Sequence, residues 1–224
     1  MQKPQSIPEW ITLALQAILL VGLILSAVQQ QWLNMMLTAA VMALTVLPAV
    51  MERQFKVTIP PEFELLAILF IFASIFLGEV RGYYLRFWWW DALLHTGSGL
   101  LLGLVAFLLV YVLNQIDRID LHLKPGFVAL FSFAFAMAVG AVWEIFEFGM
   151  DSFLGLNMQK SGLQDTMWDL IVDAIGAFVF AVTGYVYMLR GWGSPIFRSV
   201  ESFVRSNPEM FDSGVEPEPT GEFE

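Results

Sequence analysis

The sequence predicts an all-α fold: a polytopic membrane helical bundle of six transmembrane helices followed by a short C-terminal interfacial helix. Three observations carry this. Of the 224 residues, 58% are hydrophobic and only 14% charged, a composition typical of membrane proteins. Six apolar stretches cover roughly 9–28, 32–51, 62–79, 91–113, 126–148 and 167–189. Each is near the ~20 residues a helix needs to cross the hydrocarbon core. Runs this long and continuous satisfy their backbone groups in lipid as helices rather than as barrel strands.

The elements follow in order. The first stretch reads as a retained anchor, because it is long for a signal-peptide core and its basic flank is only Lys3. Gln29-Gln30-Gln31 separates it from the second, and Pro60-Pro61 opens the third. Trp88-Trp89-Trp90, with Tyr83 and Tyr84, precedes the fourth and reads as an aromatic belt at the membrane interface. Asn114 to Gly126 joins the fourth and fifth, and Asp151 to Gln164 joins the fifth and sixth. Beyond the sixth, Ile196, Phe197, Val200, Phe203 and Val204 share one helical face opposite Arg198, Glu201, Ser202 and Arg205. That pattern suits a helix lying on the membrane surface. From Asn207 the chain is acidic and rich in Pro and Gly, which reads as disorder. The expected organisation is a transmembrane domain over 1–190, an interfacial helix over 191–206 and an acidic tail over 207–224.

Charge and cysteine usage narrow the function. The formal charge is −10, and half of it lies after Arg190, where seven acids face Arg198 and Arg205. With no basic run, nucleic-acid binding is not expected, and membrane lipid is the expected partner. The absence of Cys rules out disulfides and thiolate metal sites. Lys and Arg in the loops set the orientation. With the N-terminus inside, Lys3, Arg53, Lys56, Arg118, Lys124, Arg190, Arg198 and Arg205 fall inside, against Arg81, Arg86 and Lys160 outside. Both termini are therefore expected in the cytoplasm, with the chain in a bacterial inner membrane.

That orientation gathers eight carboxylates and one imidazole at the outer ends of the spans. They are Glu79, Asp91, His95, Glu144, Glu147, Asp151, Asp165, Asp169 and Asp173. Residues three or four apart share a helix face. Asp91, His95, Gly99 and Gly103 line up on the fourth helix, and Ala136, Gly140, Glu144 and Glu147 on the fifth. Asp165, Asp169, Asp173 and Ala177 line up on the sixth, with Gly176 beside them. Small residues let membrane helices approach closely, so these three helices are expected to pack along their stripes with the acids converging above. Asp91, His95, Glu144, Glu147, Asp169 and Asp173 are the candidate metal ligands, with Glu79, Asp151 and Asp165 in support. Carboxylates with one imidazole suit Mg²⁺, Mn²⁺, Ca²⁺ or Zn²⁺. Arg81 and Arg86 are candidate anion contacts. His122 reads as a solvated loop residue.

Three motifs in this order, Trp90-Asp91-x-x-x-His95-x-x-x-Gly99, Trp143-Glu144-x-x-Glu147-Phe148 and Asp165-Thr166-x-Trp168-Asp169-x-x-x-Asp173-x-x-Gly176-Ala177, resemble the YjdF-like family of bacterial inner-membrane proteins. Gly78-Glu79-Val80 resembles the end of that family's third helix. The pattern departs at one place: the acid ahead of the Trp-Asp pair stands three residues before it, at Asp165, and Thr166 holds the position two before. The resemblance covers roughly 62–190 and implies a polytopic membrane protein without naming an activity. A distant analogy links the Asp-x-x-x-His element to VanZ-like membrane proteins.

Three functions fit these residues. One is a metal-dependent hydrolase acting on a lipid headgroup in the outer leaflet. The second is a cation- or proton-coupled carrier, which the lack of inverted repeats and of Pro-broken helices disfavours. The third is a scaffold whose helices are clamped by a metal or by hydrogen bonds, without turnover.

Overall fold

The computed structural model describes residues 7–115, 123–191 and 195–208. Lys3, Arg118, His122 and the acidic tail from 209 lie outside the described residues. The described residues form α1 (Ile7–Val28), α2 (Trp32–Phe55), α3 (Pro61–Ile71), α4 (Tyr83–Arg86), α5 (Trp90–Gln115), α6 (Pro125–Leu154), α7 (Leu163–Arg190) and α8 (Pro195–Ser206). α3 continues without a break as π-helical turns over Phe72–Val80, closed by the Arg81 N–H on the Phe76 carbonyl at 2.9 Å. Six of these helical segments are long and apolar enough to cross a membrane.

The boundaries have local causes. Proline at the first helical position starts α3 and α6, where no backbone donor is needed. α6 ends at Gly155 and α7 at Gly191, both in the left-handed conformation that glycine tolerates. α6 reaches Leu154, beyond the 148 that hydropathy suggests, so Asp151 belongs to its last turns rather than to the following loop. α2 runs through Pro48, so the chain does carry a proline inside a spanning helix. α4 is a short helix within the expected aromatic belt, set off by Gly82 at φ 70°.

The spans form two packed groups. α1, α2 and α3 close around Leu15, Leu19, Val41, Ile68, Phe72 and Phe76. α5, α6 and α7 form the tighter group, whose core includes Leu104, Phe107, Val128 and Phe180. α3 bridges them, because Phe63 and Leu66 lean on the second core while Ile68 and Phe72 belong to the first.

The expected C-terminal helix forms, as α8. α8 turns its apolar face onto the end of the second group: Phe197 stacks on Tyr187 with ring centroids 4.2 Å apart, and Val200 is fully buried. The aromatic cluster of Phe107, Phe180 and Tyr187 gives that face a partner inside the protein. Asn207, assigned by composition to the disordered tail, is buried. It accepts the Thr58 N–H at 2.6 Å and donates to the Thr58 and Phe203 carbonyls at 2.9 and 2.7 Å. That side chain fastens the end of α8 to the loop between α2 and α3.

Candidate metal centre

Helix direction brings the acids together. α5 and α7 begin at the same end of the bundle, and α6 finishes there. Asp91 lies in the first turn of α5 with His95 one turn deeper, and Asp165, Asp169 and Asp173 descend α7 beside them.

Close approach of α5 and α7 makes this possible. A Cβ on Gly99 would strike the Asp173 carbonyl and the Ala177 nitrogen, and one on Gly176 would strike the Thr96 carbonyl. The two glycines therefore face each other's backbones. On α6, a Cβ at Gly140 would stand 2.5 Å from the Asp173 carboxylate. Gly103 leaves room for the Phe180 ring lower down.

The centre is built around His95. Its Nδ1 lies 3.3 Å from Asp173 Oδ2. The Ser98 hydroxyl lies 2.6 Å from Asp173 Oδ1 and 2.7 Å from the His95 carbonyl. Its one proton favours the carboxylate, the stronger acceptor. With Nδ1 so held, Nε2 points between two further carboxylates, 3.9 Å from Asp91 Oδ1 and 3.9 Å from Asp169 Oδ2. These distances exceed a hydrogen bond. They also exceed the ~3.4 Å that separates two ligands of a tetrahedral ion with bonds of about 2.1 Å, so the side chains would draw in around a bound ion. One ligand atom from each of Asp91, His95 and Asp169 falls within 4.8 Å of the others. Depth is graded: Asp91 is 23% exposed, Asp169 7% and Asp173 2%.

Glu144 reaches this group from α6. It is buried, and neither carboxylate oxygen meets a hydrogen-bond donor. The Thr166 hydroxyl is the neighbouring donor, beyond good hydrogen-bond geometry; its oxygen accepts from Gln159 Nε2 at 2.6 Å, which leaves its proton free to face Glu144. Buried polar atoms are normally paired, so an orphan carboxylate beside three others is a gap in the bonding that a cation would fill.

The remaining acids differ in surroundings. Glu147 accepts the Trp143 indole N–H at 2.9 Å on the exposed face of α6. Asp151 accepts the N–H groups of Met158 and Gln159 at 2.7 and 2.9 Å, which spends both its oxygens on shaping the α6–α7 loop. Asp165 lies beside Lys160, and Glu79 is exposed at the end of the π-helical turns. Arg81 and Arg86 are exposed, and among the described residues neither forms an ion pair with the cluster.

Three contributors escaped the sequence reading, Ser98, Thr166 and Tyr84, and of the three cations expected near the acids, Arg81, Arg86 and Lys160, it is Lys160 that pairs with the cluster. Ser98 stands three residues from His95, a spacing that marks a shared face. Lys160 comes back across 69 residues to pair with Asp91, and no local pattern announces that. Tyr84 fits over Gly78, where any side chain would collide with its ring. Burial, then the carboxylates of Asp91 and Glu79, holds its phenol well above the ordinary tyrosine range.

Residues 11–190 match the family model described as "Predicted membrane protein (DUF2238)". The chain belongs to the DUF2238 family. This agrees with the YjdF-like resemblance of its motifs. The DUF2238 match takes in all six spans from residue 11 onward and every residue of the centre described above. An uncharacterized protein of Thermotoga maritima is 29% identical to this chain over 138 residues, which is 62% of this chain and 69% of that relative. No solved structure matches the chain. The centre is thus part of a multi-pass membrane protein, and its Asp91, His95 and Asp169 could hold a metal ion.

Proposed function

We propose that this DUF2238 protein binds a divalent metal ion through Asp91, His95 Nε2 and Asp169, and uses it to hydrolyse an ester of a lipid headgroup. The observation that supports the reading is Glu144, a buried carboxylate with no hydrogen bond of good geometry, near three metal-type ligands whose donor atoms lie within 4.8 Å of one another. The ion is one that accepts carboxylate and imidazole together: Mg²⁺, Mn²⁺, Ca²⁺ or Zn²⁺.

Asp173 takes the role of a positioning residue. As acceptor for an Nδ1–H it would hold the His95 tautomer that leaves the Nε2 lone pair available to a bound ion, as the outer partner of a metal-bound histidine commonly does. A bound ion would lower the pKa of a water and polarise a phosphoryl or acyl oxygen. Glu144, buried beside the ligands, would accept the proton from that water.

Depth argues for a headgroup as substrate. The ligands lie in the first turns of spanning helices. Exposed Trp88, Trp89, Trp143 and Trp168 occur at the same end, as interfacial aromatics do. On the Lys and Arg balance this end faces the periplasm of a bacterial inner membrane, with both termini cytoplasmic. Purified protein supplied with each of the four ions should release headgroup products from a panel of phospholipids and polyprenyl phosphates, and chelation should stop it. Inertness across the panel with a bound ion present would contradict the hydrolase and leave a metal-clamped scaffold.

A further inference from the structure

The α6–α7 loop delivers a cation of its own to the centre. Lys160 Nζ pairs with Asp91 Oδ2, the outermost of the ligand carboxylates. The same ammonium lies 4.9 Å from the centroid of the Tyr84 ring, on the π face that attracts cations. Its pose is built rather than incidental. Gly155 and Gly162 bracket the loop in positive-φ conformations, and Asp151 pins the backbone at Met158 and Gln159. Gln159 Nε2 ties the loop to Thr166 on α7, and the Gly162 N–H closes on the Gln159 carbonyl at 2.8 Å. The backbone is therefore fixed while the lysine stem remains partly exposed, at 34%.

We infer that Lys160 is an exchangeable internal cation: its ammonium is held between the Asp91 carboxylate and the Tyr84 ring, and a divalent ion competes with it for that carboxylate and releases it on binding. This rests on the metal reading above. Three carboxylates gathered around one imidazole repel one another, and a tethered ammonium offsets part of that repulsion until an ion arrives. The arrangement makes metal affinity depend on a residue that is not a ligand.

Two measurements on the full chain in detergent test this. Mn²⁺ binding, read by electron paramagnetic resonance, should be about five- to tenfold tighter in Lys160→Gln than in wild type, since the competitor is gone. Arg86→Gln removes the same charge from the same end without touching Asp91, and should change affinity less than about twofold. In wild-type protein, acylation of Lys160 by a water-soluble ester, followed by mass spectrometry, should rise as Mn²⁺ is added. Equal Mn²⁺ affinity in wild type and Lys160→Gln, or unchanged Lys160 labelling at saturating Mn²⁺, would overturn the exchange while leaving the metal centre intact. No binding by either protein would overturn both.

Discussion

The two groups of spans solve the same problem differently. α1, α2 and α3 meet through side chains, with Leu19, Val41 and Ile68 fully buried at the seam. Among their polar groups, Thr38 and Thr45 bond to carbonyls of their own helix, and Gln16 of α1 donates across to Thr45 of α2 at 3.2 Å. α5 and α7 meet through backbone, at Gly99 and Gly176, with Gly140 of α6 against the Asp173 carboxylate, and the three helices bury Glu144, Asp169 and Asp173. In lipid, helices gain nothing from burying apolar surface against each other, so close packing and polar contacts must hold them. The first group reads as an anchor, and the second as a vise that keeps carboxylates together.

The contrast can be broken most severely at the glycines. Gly99→Val forces a side chain into the Asp173 carbonyl, which cannot retreat without moving α7. We expect about 3 kcal/mol or more of destabilisation and loss of monodisperse protein in detergent. Gly22→Ala in the first group meets only the far end of the Phe76 ring, which can turn aside. It should cost less than about 1 kcal/mol. Equal melting temperatures for the two variants would erase the distinction between vise and anchor.

The next effect is on metal rather than fold. Asp173→Asn keeps the shape beside Gly140 but removes the carboxylate that holds His95 Nδ1. Metal affinity should fall about 10- to 100-fold, read by titration, with little change in melting temperature. A fall in stability without a fall in affinity would make Asp173 a packing residue.

A smaller effect of opposite sign is expected at Glu144. Its two oxygens are buried without partners, so Glu144→Met should stabilise the chelator-treated protein by about 1–3 kcal/mol. The same change should shrink the stabilisation that added metal gives wild type. Thermal melts with and without chelator separate the two outcomes. A destabilised Glu144→Met in chelator would mean that the carboxylate already has a partner.

Much of this was legible in the sequence because membrane helices are read by length and spacing. Hydropathy locates the six spans, since each must cover the same hydrocarbon thickness. Four-residue spacing puts Asp91 over His95, and Asp169 over Asp173, whatever the rest of the chain does. The division of labour among the acids was not legible. Asp151 and Asp169 look alike in sequence, yet one caps a loop whose turns depend on Gly155 and Gly162 while the other faces His95. Lys160 and Asn207 act through contacts 69 and 149 residues away, which no periodicity encodes. α8 shows the same limit: its amphipathic face was plain, but whether lipid or Phe107 and Tyr187 would cover it depends on the end of the bundle.

The most direct test of the centre is the metal content of detergent-purified protein, wild type against His95→Ala. The arrangement of Asp91, His95 and Asp169 predicts near one divalent ion per chain in wild type, lost in the variant while the helical circular dichroism and the elution volume stay unchanged. Wild-type protein that holds no ion after exposure to Mg²⁺, Mn²⁺, Ca²⁺ and Zn²⁺, or a His95→Ala variant that keeps its full complement, would contradict it.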